Sequence, residues 1–508
     1  MKERKSRDKL TVVVGVLIII LTAMALMLGA TMYYRQGINQ ETEETTTKPT
    51  VKIPDITNAP TEPSTPAATT PAATTPAATT PAATTPATTT SAATTPATTT
   101  PAETTPAATT PAETTSAVES GEQSSSNRTG YLAEVEAATL QKSGSHRVDI
   151  TSMTQITAQE VRTLIEAYTV PDMPYLDGSE RTAGDFDYTL KRRNLSAIAD
   201  PVALQYGVLV GNTAVRAFPT WQKMSNGTGY DSFDYLQESL LMAGEGVAVL
   251  HQTEDKIWSF VQADSYNGWV QTEMIAFCTL DEMKSFVTAD SFAVVTEPVL
   301  TAEGVALRMG TRLPLVKVVD GAAVLQMAKK DDSGKLKVIE TAVDAGMISE
   351  GYLALSEDAI VEQAKKLLGT NYGWGDSNAY MDCSSTLRAV YNCFGIVLPR
   401  NTSWMPNCGL KVTDVREMGT QEKRDLIASL PKGSILLING HAMMYVGQID
   451  GVESMLHNVT QYKPSAGAEI ERPLKCVITP IDICNTADAN YVDLYRYVIE
   501  VDWSKISQ

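Results

Sequence analysis

The chain has 508 residues, enough for two or three domains, with 41 Lys and Arg against 59 Asp and Glu and a formal net charge of −18. That acidic balance, with no basic stripe, argues against nucleic acid as a partner. The six cysteines (Cys278, Cys383, Cys393, Cys408, Cys476 and Cys484) show no C-x-x-C pairing, which removes zinc ribbons and thioredoxin motifs, and are too sparse for a disulfide scaffold.

The first predicted element is a membrane helix. Leu10 to Tyr34 carries no charge, and ~20 apolar residues cross a bilayer. Lys2, Arg4, Lys5, Arg7 and Lys9 precede it, so residues 1–9 are expected in the cytoplasm, 10–34 as a single-pass transmembrane anchor, and the remainder outside. The alternative is a cleaved signal peptide with Leu28-Gly29-Ala30 as its small-residue site, although the apolar run exceeds the ~7–15 residues usual for one. Residues 41–126 repeat Thr, Pro and Ala with almost nothing bulky to bury, so they read as a disordered linker. At ~3.1 Å per residue its roughly 85 residues could reach on the order of 200 Å.

Globular patterning starts at Tyr131. Residues 131–200 form a helical, stabilising segment, with Val161, Leu164 and Ile165 on one face of a short helix. Short strands broken by Gly, Asn and Asp follow: Tyr206 to Val210, Gly246 to His251, Trp258 to Gln262 and Gly268 to Val270. They predict a small all-β barrel over 201–280. His251 lies in an apolar strand and reads as core. The phrases Val215-Arg216-Ala217-Phe218-Pro219-Thr220, Asp231 to Ser239 and Tyr266-Asn267-Gly268-Trp269-Val270 resemble the bacterial SH3 (SH3b) domains of cell-wall peptidases. That resemblance implies that Tyr266 faces a substrate cleft. A second barrel over 290–354 carries Arg308-Met309-Gly310-Thr311-Arg312-Leu313-Pro314, a phrase such tandem barrels share.

The chemistry lies in residues 356–501. Ser356 can cap a helix through Ile360, Val361, Ala364, Leu367 and Leu368, which Gly369 stops. After the aromatic loop Tyr372-Gly373-Trp374-Gly375, Asp382-Cys383-Ser384-Ser385 opens a second helix with Leu387, Val390, Tyr391 and Phe394 on its buried face. A thiol in the first turn of a helix meets backbone N–H groups and the positive end of the dipole, which favour a thiolate. Cys393, at the end of the same helix, reads as packing. Ser434 to Ile438, His441 to Gly447 and Val452 to Val459 then read as three strands, the last two joined at Asp450-Gly451. If that turn closes an antiparallel hairpin, His457 comes within a few residues of His441, although a one-residue slip would change its face. This predicts Cys383 as nucleophile, His441 as base and His457 as the group that orients it. No fourth ligand has metal-site spacing, so neither a metal nor a cofactor is expected.

The segments Tyr372-Gly373-Trp374-Gly375, Asp382-Cys383-Ser384, Leu398-Pro399-Arg400, Pro431-Lys432-Gly433-Ser434, Gly440-His441 and Leu456-His457 together resemble the NlpC/P60 family of papain-like cysteine peptidases. The resemblance implies an α+β protein, with a papain-like catalytic domain behind SH3-like barrels. It also implies a dipeptidyl-peptidase that cuts after γ-D-Glu in peptidoglycan stem peptides or muropeptides with a free L-Ala amine. Tyr372, Asp382 and Ser384 would line or hold the substrate. Where many relatives have Asp-Ser to grip the amine, this chain has Asn401-Thr402, which brings no charge. The alternatives are an endopeptidase of intact cross-linked wall and a non-catalytic wall-binding protein.

Overall fold

The computed structural model describes residues 116–227 and 233–506. The expected cytoplasmic tail, anchor and most of the linker lie outside the described residues. Among those described, no helix is long and apolar enough to cross a membrane. The first helix runs Ser116–Ser143, so residues 116–126, assigned to the linker on composition, are helical. The last repeat proline is Pro111 and the next is Pro171, so no proline interrupts this helix. Tyr131 and Val135 of this helix lie in the catalytic core.

The first barrel is a seven-stranded antiparallel sheet. Its order is Ile275–Cys278, Gln205–Leu209, Gly246–Gln252, Trp258–Gln262, Asn267–Gln271, Thr213–Arg216 and Gln237–Leu241. Alternation along Gly246–Gln252 sends Val247 and Val249 into the barrel core. Ala248 and Leu250 go to the other face, where Ala158, Val161 and Ile165 of the helix Ala158–Glu166 cover them. His251 Nε2 lies 3.0 Å from the Arg193 carbonyl, a structural contact.

The second barrel is a five-stranded sheet, ordered Leu336–Asp344, Ala322–Lys330, Arg312–Val319, Phe292–Val295, Ile348–Glu350, with the hairpin Val299–Ala302/Val305–Arg308 beside it. It is not free of the catalytic region. Val294 and Met309 belong to the catalytic core, and Gly310, at φ +82°, comes so near the nucleophile helix that a Cβ would meet the Ala389 carbonyl at 2.8 Å.

The C-terminal region packs the helices Glu357–Lys365 and Cys383–Asn392 on a six-stranded sheet. The sheet order is Lys411–Asp414, Tyr497–Glu500, Ile435–Ile438, His441–Ile449, Val452–Val459, Lys475–Pro480. Leu387, Val390, Tyr391 and Phe394 bury one face of the second helix against Ala442, Met444 and Leu456 of the sheet. Cys393 is fully buried in that core. The architecture is mixed α+β, a helix-and-sheet unit behind two small barrels.

Candidate active site

Asp382 starts the helix Cys383–Asn392 by a reciprocal cap. Its carboxylate accepts from the Ser385 N–H at 2.9 Å, and Ser385 Oγ accepts from the Asp382 N–H at 2.9 Å. This puts Cys383 at the first helical position, 7% exposed. Its sulfur accepts from the backbone N–H groups of Ala442 and Ser384. The ladder between His441–Ile449 and Val452–Val459 runs no further than Met444↔Leu456, so Ala442 is outside it and free to meet the thiol.

Burial works against the thiolate that the helix start favours. Burial pushes Cys383 up to about 12, and the Asp382 charge adds to this; the two amides and Arg400 offset only part. His441 is pushed the other way by burial, down to about 4, with Asp382 pulling against the shift. Both shifts favour the neutral forms, the loss of solvent around a charge opposing the pull of the helix terminus.

His441 Nε2 lies 2.9 Å from His457 Nδ1, and His457 Nε2 lies 3.2 Å from Thr479 Oγ1. The Thr479 hydroxyl donates to the Pro480 carbonyl at 3.1 Å. Its oxygen is then the acceptor for His457 Nε2–H, His457 Nδ1 is bare, and His441 donates from Nε2. That order of donors leaves His441 Nδ1 unprotonated, the state a base needs. Thr479 was not anticipated from sequence: it sits on the next strand, in register with Met455 rather than with His457. Asn458 was also missed. Its Nδ2 donates to the Met381 carbonyl at 2.9 Å and to Thr386 Oγ1 at 3.3 Å, fastening the second histidine strand to the start of the nucleophile helix.

The register that brings the histidines together depends on a bulge. From the turn the pairs run Ile449↔Val452, Gln448↔Glu453 and Gly447↔Ser454, then Tyr445↔Met455, skipping Val446. Without the extra residue, His457 would fall opposite Met444, on the face away from His441. With it, both rings share one face. Gly447, at φ +85°, supplies the left-handed step.

Asp382 and Ser384 are held within the protein. Arg400, 2% exposed, reaches Asp382 Oδ2 at 2.7 Å, Asp382 Oδ1 at 3.2 Å and Ser384 Oγ at 2.7 Å. Burial works against the Asp382 charge, but Arg400 prevails and holds the carboxyl below its usual range. Buried Asp376 joins the same cluster. It accepts from Ser385 Oγ and from the Asp382 N–H, and lies 3.4 Å from Arg400 and 3.6 Å from Arg308 of the second barrel.

Tyr372, half-buried, and Trp374 pack against Phe233 of the first barrel at 5.9 and 5.5 Å between ring centroids, and Trp374 also meets Tyr235 at 5.4 Å. Tyr266, 5% exposed, donates to Glu238 Oε2 at 2.8 Å and is also hydrogen-bonded to the Asn401 side chain. Burial first, then the Glu238 charge, raises this phenol well above its ordinary value. Thr402 is half-buried in the turn that follows. The structure thus brings Tyr266 and Asn401 together and adds Glu238, a carboxylate from the barrel beside the position where this chain has no Asp. Around Tyr266 the Trp404 and His146 rings stack at 3.5 Å, leaving a cavity of about 20 Å³ with Tyr168 and Asn267. A separate hollow of about 410 Å³, lined by Glu357, Lys411, Glu500 and Trp503 among others, touches none of these residues. No group of His, Cys, Asp and Glu among the described residues is arranged to hold a metal.

Comparison with known proteins gives the site its family. Residues 369–474 match the NlpC/P60 family and residues 219–271 an SH3 domain of the SH3b1 type. The structure is similar to an NlpC/P60 endopeptidase from Photobacterium damselae subsp. piscicida, with a TM-score of 0.59 and 18% identity over 75% of this chain and 93% of that one, a likeness of fold. An NlpC/P60 family protein from Bacillus cereus ATCC 10987 aligns at 17% identity and a TM-score of 0.40, over 59% of this chain and 99% of that one. No curated protein matches the sequence. The chain carries an NlpC/P60 domain behind an SH3b domain, and the NlpC/P60 family is one of cysteine peptidases, so the chain is a cysteine-type hydrolase.

Proposed function

We propose that this hydrolase, with its NlpC/P60 domain, cuts peptidoglycan stem peptides at the γ-D-Glu–diamino acid bond, from substrates with a free L-Ala amine. The observation that carries the reading is the start of the nucleophile helix beside the histidine strand: the buried Cys383 sulfur accepts from the amide of Ala442, the residue after His441, whose Nε2 lies 2.9 Å from His457 Nδ1.

Attack moves the Cys383 proton to His441 as sulfur bonds to the γ-glutamyl carbonyl carbon. The neutral pair becomes charged only then, so the charge arises together with the oxyanion that the helix start can bind. The first-turn N–H of Cys383 has no intrahelical acceptor and is the donor for that oxygen. The C–N bond breaks as His441 Nδ1–H protonates the leaving amine. Water, deprotonated by His441, then hydrolyses the thioester and returns the thiol.

Glu238 with Tyr266 supplies the negative, hydrogen-bonding site for an ammonium group that Asn401 alone does not. The anchor expected at residues 10–34 would hold the enzyme outward at the membrane, where stem peptides are shed.

The test is cleavage of L-Ala-γ-D-Glu-diamino acid tripeptides, amine free or acetylated, read by mass spectrometry with Cys383→Ala as blank. Cleavage of the free form alone supports the proposal. Cleavage of both forms moves the reading to an endopeptidase of intact wall. If wild type matches the blank on all wall substrates, a binding protein replaces it.

A further inference from the structure

The second barrel invites reading as a wall-binding module, yet one of its side chains reaches the loop that leads into the nucleophile helix. We propose that Arg308 is a positioning residue of the active site, acting through Asp376 on the start of the Cys383 helix. The inference rests on Cys383 being the nucleophile.

Arg308 is 5% exposed and its guanidinium stands 3.6 Å from Asp376 Oδ1. That same oxygen accepts from the Ser385 hydroxyl and from the Asp382 N–H, the two groups that form the helix cap. One barrel arginine is thus a single carboxylate away from the residue before the nucleophile and the residue two after it.

Asp376 needs holding. Its φ is +65°, and Gly375, Asn378 and Ala379 are also left-handed, at +56°, +56° and +61°. A loop with this many residues in a sparsely populated region persists only if its surroundings over-determine it. Both barrels supply that restraint. Gln237 of the first donates to the Gly375 carbonyl at 3.1 Å, and Arg308 of the second takes the Asp376 carboxylate. The close approach at Gly310 fixes the barrel on the helix, so Arg308 is delivered to a set place.

Charge gives a second route. Arg308, Arg400, Asp376 and Asp382 form a buried set of two cations and two anions. Removing Arg308 takes one positive charge from this set, which surrounds the start of the Cys383 helix where the developing oxyanion needs one. Arg308 therefore works on orientation and on field together, and the catalytic domain is complete only with the second barrel docked.

The test uses the full chain in detergent, with Arg308→Met, Arg308→Lys, Arg308→Met/Asp376→Asn and Leu325→Ala, the last removing packing inside the same barrel away from Asp376. Two readouts are taken on each: kcat and KM on the free-amine tripeptide, and the rate of Cys383 alkylation by iodoacetamide, which needs no knowledge of the substrate. The expected result is a kcat loss on the order of 10²-fold in Arg308→Met, the scale of a misplaced catalytic group, with KM unchanged. Alkylation slows in parallel. Lys restores part of both, and so does Asp376→Asn in the double variant by rebalancing charge, whereas Leu325→Ala lowers only the melting temperature. If Arg308→Met fails to fold, the Lys and double variants carry the comparison. Alkylation and kcat as in wild type in folded Arg308→Met would overturn the proposal, and so, where that variant does not fold, would full wild-type values of both in Arg308→Lys. A wild type that cleaves no wall peptide while Arg308→Met still slows alkylation sinks the substrate reading and leaves this one standing.

Discussion

His441 Nε2 and His457 Nδ1 sit 2.9 Å apart because Val446 is an extra residue in the strand that carries the first ring. The bulge needs a left-handed step at Gly447. A β-branched residue there costs about 1–3 kcal/mol in strain. Gly447→Val is therefore expected to lower the melting temperature and, in whatever folds, to cost most of kcat as the rings part. A folded Gly447→Val enzyme with wild-type turnover would show that the register does not govern the pair.

The donor order from Thr479 to His441 makes a graded forecast. His457→Ala removes the acceptor that holds the His441 proton on Nε2 and should lower kcat on the order of 10²-fold with little change in KM. Thr479→Val, which frees only the second ring, should cost roughly tenfold or less. Steady-state kinetics on the tripeptide decides the order, and a larger loss at Thr479 than at His457 would contradict it.

Cys383, pushed up to about 12, should alkylate slowly through the neutral range and faster as the solution turns alkaline. An ion pair would instead give a plateau extending into acid. The rate of iodoacetamide labelling against pH, followed by intact mass, separates the two, and an acid plateau would mean that the resting pair is charged.

Stability should fall on the acid side for a definable reason. His441 is depressed to about 4 and His457 lies well below its ordinary value, both through burial. In the unfolded chain both take up protons near ~6.5. Between that pH and about 4 the unfolded state binds more protons, so the stabilisation is whole above ~6.5 and is lost as pH falls toward 4. Thermal melts from pH 7.5 to 4.5 should show this decline, and His457→Gln should make it shallower. An equally steep decline in that variant would assign the acid sensitivity elsewhere.

Glu238→Gln should raise KM for the free-amine tripeptide by roughly ten- to a hundredfold, the range for one charge-assisted hydrogen bond, while leaving any activity on the acetylated peptide as it was. Equal effects on both peptides would remove Glu238 from amine recognition.

Much of this protein follows from local chemistry. Asp382 before Cys383 writes a helix cap, Leu387, Val390, Tyr391 and Phe394 write its buried face, and alternation around Val247 to Leu250 writes a two-sided strand. These are short-range rules of period and capping, so the sequence by itself determined the mixed α+β architecture, the barrels and the elements that carry Cys383, His441 and His457. The start of the first helix was missed because low-complexity composition outweighed the absence of proline after Pro111.

Tertiary structure decided the rest. The upward push on the Cys383 thiol comes from burial, which a helix position does not report. The face of His457 turned on one bulged residue. Thr479, Glu238 and Arg308 reach the site from another strand and from two other barrels, across 22, 145 and 75 residues of sequence from His457, Cys383 and Cys383 in turn. No periodicity records such distances: a field and a hydrogen bond depend on separation in space, and only the packed chain sets that.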